Sequence, residues 1–338
     1  MKPESHLLGY DPAFLALRKK IYAESEPITV LDPDSGAELS ELCLLSVYEC
    51  LIHFKSLTHP SSYFSPSLRE TSKWTPRSWQ ALFQTLRKTR GWTLSRFMML
   101  SPEQSNTLRK RATEAGYLSM TTEECFRVIP GNQNYAQYLD KRSAKHNTNN
   151  RRCARKAERL GFVITDKLTV DEIADVYLRR RKSGPVRSEV DYSVTPQFIE
   201  FLTGLRTAYI SEKRWIEYGV RDPEGRLIAF SMGFWDTNRV FYFFQTGYDP
   251  DHHALRPGSI VFDTAIERVL SEGCQFISFA SCNDYLANYA PDSLPFHRVD
   301  VFNRTPKGLF LFAYRWLSNW RKTNEARLDR SKMAITSR

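Results

Sequence analysis

No run of apolar residues in this chain approaches the roughly 18 that a membrane-crossing helix needs. Met1 to Tyr10 is polar and holds no signal-peptide apolar region. These absences set the expectation of a cytoplasmic protein. A glycine-rich phosphate loop and a dinucleotide fingerprint are both missing, which speaks against nucleotide hydrolysis and nicotinamide chemistry. No Gly-x-Ser-x-Gly nucleophile elbow is present. The six cysteines (Cys43, Cys50, Cys125, Cys153, Cys274, Cys282) are scattered without zinc spacing, and the histidines do not join them as ligands, so no metal is expected. Cys43 and Cys50 sit in an apolar, strand-like segment and Cys274 opens another, which reads as buried free thiols. There is no short-period repeat and no low-complexity tract.

What the chain does have is 338 residues, 41% of them hydrophobic and 25% charged. That balance suits a globular protein of about two domains. Turn signals divide it into residues 1–130, 131–325 and a polar, frayed tail, 326–338. In the first part, Pro12 to Glu24 carries a helical apolar stripe and Glu41 to Phe54 is partly strand-like. Lys55 to Lys73 is rich in serine and proline and reads as loop. Thr75-Pro76 opens a helix through Arg90, with proline suited to its first turn. Thr93 to Leu100 follows as a strand, Ser101-Pro102 opens a second helix, and Cys125 to Ile129 is a strand stopped by Pro130. In the second part, Tyr135 to Lys145 is a helix that Asn147-Thr148-Asn149-Asn150 interrupts. It resumes from Arg151 to Leu160, with Gly161 as C-cap. Val163 to Asp166 is a short strand. Asp171 to Arg181, Thr195 to Leu205 and Pro306 to Lys322 complete the helices. Both parts alternate helices with strands, which permits a duplicated fold.

The densest information lies between Trp215 and Tyr289. Trp215 to Arg221 ends in Asp222-Pro223-Glu224-Gly225. Leu227 to Trp235 ends in Asp236-Thr237-Asn238, and Val240 to Gly247 follows. Proline, glycine, asparagine and aspartate supply the backbone angles of tight turns, and the aromatic and β-branched runs between them favour strands. Arg256-Pro257-Gly258-Ser259 then leads into a helix, Ile260 to Leu270. Gly273 stops that helix, and Cys274 to Ala280 reads as a buried strand. A glycine-opened helix after an antiparallel meander can hold a phosphorylated ligand, because its first N–H groups and its dipole both attract an anion.

The net charge of +10 is uneven. Lys141 to Arg159 holds eight basic residues against one acid, Glu158, a net +7. Too one-sided for intrahelical salt bridges, it reads as a contact for phosphates, nucleic acid or anionic membranes. Arg179 to Lys182 ends a helix and complements its dipole.

Three features resemble a known family. They are the basic stretch Ser143 to Gly161, the meander ending Gly247-Tyr248-Asp249-Pro250 with Leu255-Arg256-Pro257-Gly258-Ser259, and the strand and loop Gly273 to Tyr285. In this order they resemble the GNAT-like acetyltransferases of the cellulose-biosynthesis type, proteins of two tandem GNAT halves akin to the Fem-type aminoacyl-tRNA-dependent transferases. The first half fits through Trp79 to Leu100 and the helix after it. The resemblance implies an α/β (α+β) fold of two tandem GNAT-like domains, each a mixed, mainly antiparallel sheet flanked by helices. The first would be degenerate and the second would bind the acyl donor.

It also implies an acyltransferase that moves an acyl group from acyl-CoA or acetyl-CoA to an amine of a small-molecule, sugar or amino-acid acceptor. Arg256, Gly258, Ser259 and Ile260 would then stand where GNAT proteins bind pyrophosphate. Tyr285 falls where the family carries a tyrosine that protonates the leaving thiolate, ahead of Tyr289. Two family charges are absent: Ser278 replaces an aspartate and Leu286 a lysine. Asp284 can restore a carboxylate nearby. Glu217 and the pair His252 and His253 are base candidates, since a histidine titrates in the useful range. Gln245, His146, Arg152 and Ser278 are candidates for substrate contact, and His297 reads as structural. Two other functions fit the same residues. One is a Fem-like transferase fed by aminoacyl-tRNA through the basic 141–159 segment. The other is a non-catalytic GNAT-fold binding protein.

Overall fold

The computed structural model describes residues 12–22, 28–49, 52–58, 74–183, 195–279, 281 and 283–336. In chain order it runs α1 (Pro12–Tyr22), β1 (Ile28–Leu31), β2 (Glu38–Glu49), β3 (Ile52–Thr58), α2 (Pro76–Lys88), β4 (Leu94–Leu100), α3 (Pro102–Glu114) and β5 (Leu118–Pro130). Next come α4 (Tyr135–Lys141), α5 (Ala144–Arg159), β6 (Val163–Thr165), α6 (Val170–Ser183), α7 (Pro196–Ser211), β7 (Trp215–Arg221), β8 (Leu227–Trp235) and β9 (Val240–Tyr248). A 3-10 turn, Pro250–Leu255, leads into α8 (Pro257–Ser271) and β10 (Phe276–Ser278). A second 3-10 turn, Asp284–Asn288, precedes β11 (Asp292–Phe302) and α9 (Pro306–Thr336). Of the sequence readings, the Lys55 to Lys73 loop is corrected at its start, where residues 55–58 are the end of β3, and its remainder, 59–73, lies outside the described residues with Cys50 and Cys282.

Contacts group these elements into two units, and each has the expected fold class, a mixed and mainly antiparallel sheet flanked by helices. One unit takes residues 22–124 and 296–338. Its strands lie in the order β1-β2-β3-β4-β11-β5, antiparallel where the hairpins join and parallel at β3–β4, where α2 makes the crossover. A parallel pair needs such a crossover, because a tight turn cannot reverse the chain twice. Trp79, Leu82 and Leu86 of α2 and Leu108 of α3 pack on Leu42, Leu57, Phe97 and Val299. Leu311 of α9 packs with Leu94 and Phe302.

The other unit takes residues 1–21 and 125–295, with strand order β5-β10-β9-β8-β7-β6. Again the sheet is antiparallel except for one pair, β9–β10, joined by the crossover helix α8. Every residue of β8 is buried, because helices cover both faces. Alternation along the strands separates those faces. Phe241 and Phe243 of β9 and Ile277 of β10 pack against Phe262, Ala265, Ile266 and Val269 of α8. Phe230 and Met232 of β8 pack with Ile173, Val176 and Tyr177 of α6 and Phe198 and Leu202 of α7. The last strand of each sheet crosses over in the chain. The N-terminal stretch sends the end of β5 to this unit, and the C-terminal stretch sends most of β11 to the other.

Several local readings need correction. Asn147 to Asn150 does not interrupt a helix: α5 runs unbroken through it, and the break falls at Arg142-Ser143. Asparagine disrupts a helix when its side chain bonds the local backbone. Here Asn147 instead donates to Leu139 O at 2.7 Å and accepts from Arg142 Nε, and Asn150 donates to Asp263. The tail read as frayed over 326–338 is helical where it is described, since α9 continues to Thr336. Strand β10 is shorter than Cys274 to Ala280. Cys43 is a buried thiol as expected, Cys274 is a thiol only partly buried, Cys153 is a buried thiol, and Cys125 is disulfide-bonded.

Candidate active site

Strands β9 and β10 pair only from Val240 to Tyr242 against Phe276 to Ser278. Beyond Tyr242, β9 stays bonded to β8 on its other side as far as Tyr248. The chain after β10 turns instead toward β5, with Phe279 N donating to Arg127 O at 3.0 Å and Arg127 N to Ser281 O at 2.9 Å. The two strands therefore diverge, and β9 presents main-chain edge groups that no strand takes up among the described residues. Phe243 and Phe279, just past the last pair, stack with centroids 4.7 Å apart and close the narrow end.

The start of α8 stands beside the far end of β9. Arg256, its N-cap, lies in the left-handed region at φ 51° and ψ 48° and gives no side-chain cap. A non-glycine residue there stores roughly 1–3 kcal/mol of strain. Pro257 has no N–H, and the N–H groups of Ser259 and Ile260 turn back to Arg256 O at 2.9 and 3.3 Å. Among the described residues Gly258 N–H has no acceptor, which leaves it as the open donor of the first turn. Gly258 does not have a positive φ, and a Cβ there would meet only Tyr248 Cδ1 at an ordinary 3.5 Å. Neither backbone strain nor internal packing requires glycine at this position. Close approach of something outside the protein does give a reason for it.

Ser259 Oγ, itself buried, lies 3.4 Å from Tyr285 OH, which lies 3.1 Å from Tyr289 OH. Tyr285 is 45% exposed and Tyr289 is fully buried. Burial pushes the Tyr289 phenol above the ordinary tyrosine range, so it stays protonated. This chain of hydroxyls runs from the core to the surface at the mouth of the split.

Beside it sits a buried polar network on the inner face of α5, at His146, Asn147, Asn150, Cys153 and Ala157. That spacing is one stripe of a helix. Arg142 donates to both oxygens of Asp263, at 2.5 and 3.1 Å, and to Tyr138 OH at 3.2 Å. Asn150 Nδ2 lies 3.0 Å from Asp263 Oδ2 and 3.1 Å from His146 Nε2. A carboxylate only accepts, so Nδ2 is the amide nitrogen and its second hydrogen goes to His146. His146 Nε2 therefore carries the lone pair. Burial, then the charges of Arg142 and Arg256, pull the imidazole down to about 4, so it is neutral near pH 7. Its ring meets Tyr289 edge to face at 5.0 Å.

The structure thus brings together Arg256, Gly258, Ser259, Tyr285 and His146. It sends other candidates elsewhere. Ile260 offers a core side chain, packed with Ala157, Val220 and Ile228. Glu217 belongs to the α7 face and is clamped there by Arg206 at 2.8 and 2.5 Å and by Trp215 Nε1 at 2.7 Å. Gln245 is aligned with it across Met232, and accepts from Tyr177 OH at 2.5 Å. Ser278, paired with Tyr242, alternates with Ile277 and so leaves the α8 face. His253 is exposed, with Nδ1 3.1 Å from Pro250 O, and Arg152 is exposed and bonded to Asn149 in its own helix. The side chain of Asp284 lies outside the described residues. Arg142, Asn150 and Asp263 were missed as a set. The signal was the 146/150 spacing, hidden once the helix was broken at Asn147. Arg142 takes both oxygens of Asp263.

Residues 144–286 match the family model of the acetyltransferase (GNAT) domain. The match spans α5 through the Tyr285 turn. Among solved structures the chain is similar to FemX, at 9% identity and a TM-score of 0.56, covering 92% of this chain and 95% of that one. A conserved protein of unknown function from Bacteroides thetaiotaomicron gives 9% identity and a TM-score of 0.50, over 86% of this chain and 90% of that one. A tandem GNAT protein from the clavulanic acid biosynthesis pathway gives 13% identity and 0.47, over 88% and 97%. No curated protein matches the chain.

Proposed function

We propose that this protein is an acyl-CoA-dependent N-acyltransferase, with the donor held at the β9–β10 split and its phosphates at the start of α8. The observation that carries this reading is the uncapped first turn of α8, with an open Gly258 N–H and a glycine that the protein itself does not need. Gly258 N–H and the helix dipole attract the pyrophosphate, and Arg256 adds a guanidinium. The diverging edge of β9 offers main-chain donors and acceptors to the amides of the pantetheine arm.

Acyl transfer joins the acceptor amine to the thioester carbonyl carbon and breaks the carbon–sulfur bond. The departing thiolate needs a proton and the amine must lose one. Tyr285 donates the first, and its hydroxyl contacts with Ser259 and Tyr289 let the proton be replaced. Glu217 is spent on Arg206 and Trp215 and His253 lies exposed against Pro250, so we assign the amine proton to solvent at the open mouth.

A second reading has its own support. Lys145, Arg151, Arg152, Arg155, Lys156 and Arg159 are all exposed on the outer side of α5. Such a basic stripe suits the phosphates of an aminoacyl-tRNA donor. A titration with acetyl-CoA, longer acyl-CoAs, free CoA and tRNA at two salt concentrations separates the two. Saturable binding that depends on acyl length supports acyl-CoA. Binding of tRNA alone, falling steeply with salt, supports the second donor and overturns the first.

A further inference from the structure

Helix α9 has an outward face that stays exposed among the described residues. Its inner side is Leu311, which packs on Leu94 and Phe302, and Arg315, which bonds Asp300. On the other side Leu309, Phe310, Trp316, Leu317 and Trp320 are exposed, Phe310 and Trp316 to 54% and Trp320 to 55%. At 100° per residue these five fall within a sector of roughly 120°. Scattered surface apolar residues are ordinary, but a contiguous face holding two indoles and a phenyl ring marks a contact.

The surroundings say what kind. Exposed Arg304 and Lys307 flank the start of the helix and exposed Arg321 follows Trp320. The remaining sequence holds Lys322, Arg327, Arg330, Lys332 and Arg338 against Glu325 and Asp329. A second copy would bring the same +10 charge to the contact. An anionic lipid surface would be attracted by it. Tryptophan is also the side chain that settles at the boundary between headgroups and acyl chains. No described helix is long and apolar enough to cross a membrane, so the geometry is that of a helix lying in the interface. We propose that the outward face of α9 docks the protein on anionic phospholipid bilayers. The proposal is independent of the acyl-transfer reading.

The test is co-sedimentation of the full chain with vesicles of phosphatidylcholine alone and of phosphatidylcholine with 30% phosphatidylglycerol. Binding is expected on the anionic vesicles, weakened by salt, with little on the neutral ones. The double variant Trp316→Ser, Trp320→Ser should keep its thermal melt, since both side chains are exposed, and lose about tenfold or more in vesicle partitioning. Lys307→Glu with Arg321→Glu should lose the preference for anionic vesicles. Absence of binding at every phosphatidylglycerol content overturns the proposal, as does a tryptophan variant that binds like the parent. Light scattering that shows a dimer dissolved by the same tryptophan substitutions, with no vesicle binding, assigns the face to a second copy instead.

Discussion

Helices α2 and α8 hold the same position in their units, each crossing between two parallel strands. They also open on the same pattern, Thr75-Pro76-Arg77-Ser78 in one and Arg256-Pro257-Gly258-Ser259 in the other. Proline falls at the first helical position in both. The α2 end is closed. Thr75 Oγ1 accepts from Ser78 N at 3.2 Å, Ser78 Oγ accepts from Thr75 N at 3.0 Å, and Ser78 Oγ donates to Asp32 at 2.5 Å. A carboxylate of the chain thus sits where an anion would bind. The α8 end has no side-chain cap, and its serine turns to Tyr285 instead. Leaving the cap off costs about 1 kcal/mol, and the left-handed Arg256 adds strain. The two helix starts differ in one respect: one is satisfied internally, and the other is left open at a cost that a ligand would justify.

The largest test of that contrast is Tyr285→Phe. Removing the proton donor should lower kcat by about 100-fold or more while donor affinity changes little. Thiol release from acyl-CoA with an amine acceptor measures it, and an unchanged rate removes Tyr285 from the chemistry. Next is Gly258→Val. The new side chain should weaken CoA binding about tenfold, read by calorimetric titration, without lowering the melting temperature. The same change at the matching position of the closed end, Arg77→Val, should leave binding as it was. If both variants bind CoA alike, the two helix ends do not differ in the way argued.

Stability should respond with opposite signs. Thr75→Ala breaks the reciprocal cap and should cost about 1 kcal/mol in denaturant unfolding. Arg256→Gly relieves the left-handed strain and should add about 1 kcal/mol, while it weakens donor binding. Loss of stability in both would mean that Arg256 holds the turn through contacts rather than straining it.

The sequence made the elements of this site readable more than its arrangement. The meander came out nearly to the residue because each turn carries its own chemistry, as in Asp222 to Gly225. The Arg256 to Ser259 turn and Tyr285 were legible as a pair because they flank one crossover helix. Glu217 and Gln245 were not, because helices cover both faces of the sheet. Strand alternation shows that two faces exist, but with β8 buried throughout it does not say which one carries chemistry. The crossing of β5 and β11 between units was hidden for a different reason. It pairs residues far apart in the chain, and no local signal reports such pairing. His146 was singled out alone, whereas its setting depends on Arg142, which caps the end of α4, and on Asp263 of α8.

The finest distinction between the two ends is their response to acid. The ordinary histidine value is near 6.5, and the folded protein holds His146 at about 4. A group with a depressed folded value takes up its proton more readily in the unfolded chain, so acid favours unfolding from pH 6.5 down to about 4. Asp32 at the other end is held at about 2, chiefly by the Ser78 hydroxyl and then by the Ser35 amide, against an ordinary 3.8. Its contribution is present above 3.8 and is lost only as pH falls from there toward 2. Between pH 6.5 and 4 the α5–α8 region should therefore lose amide protection while α2 keeps it. Hydrogen exchange, corrected for the intrinsic pH dependence of the rates, reads both regions in one experiment. His146→Gln should remove the loss in α5 and α8 without touching α2. Equal loss at both ends, persisting in His146→Gln, would show that the imidazole is not what distinguishes the open end from the closed one.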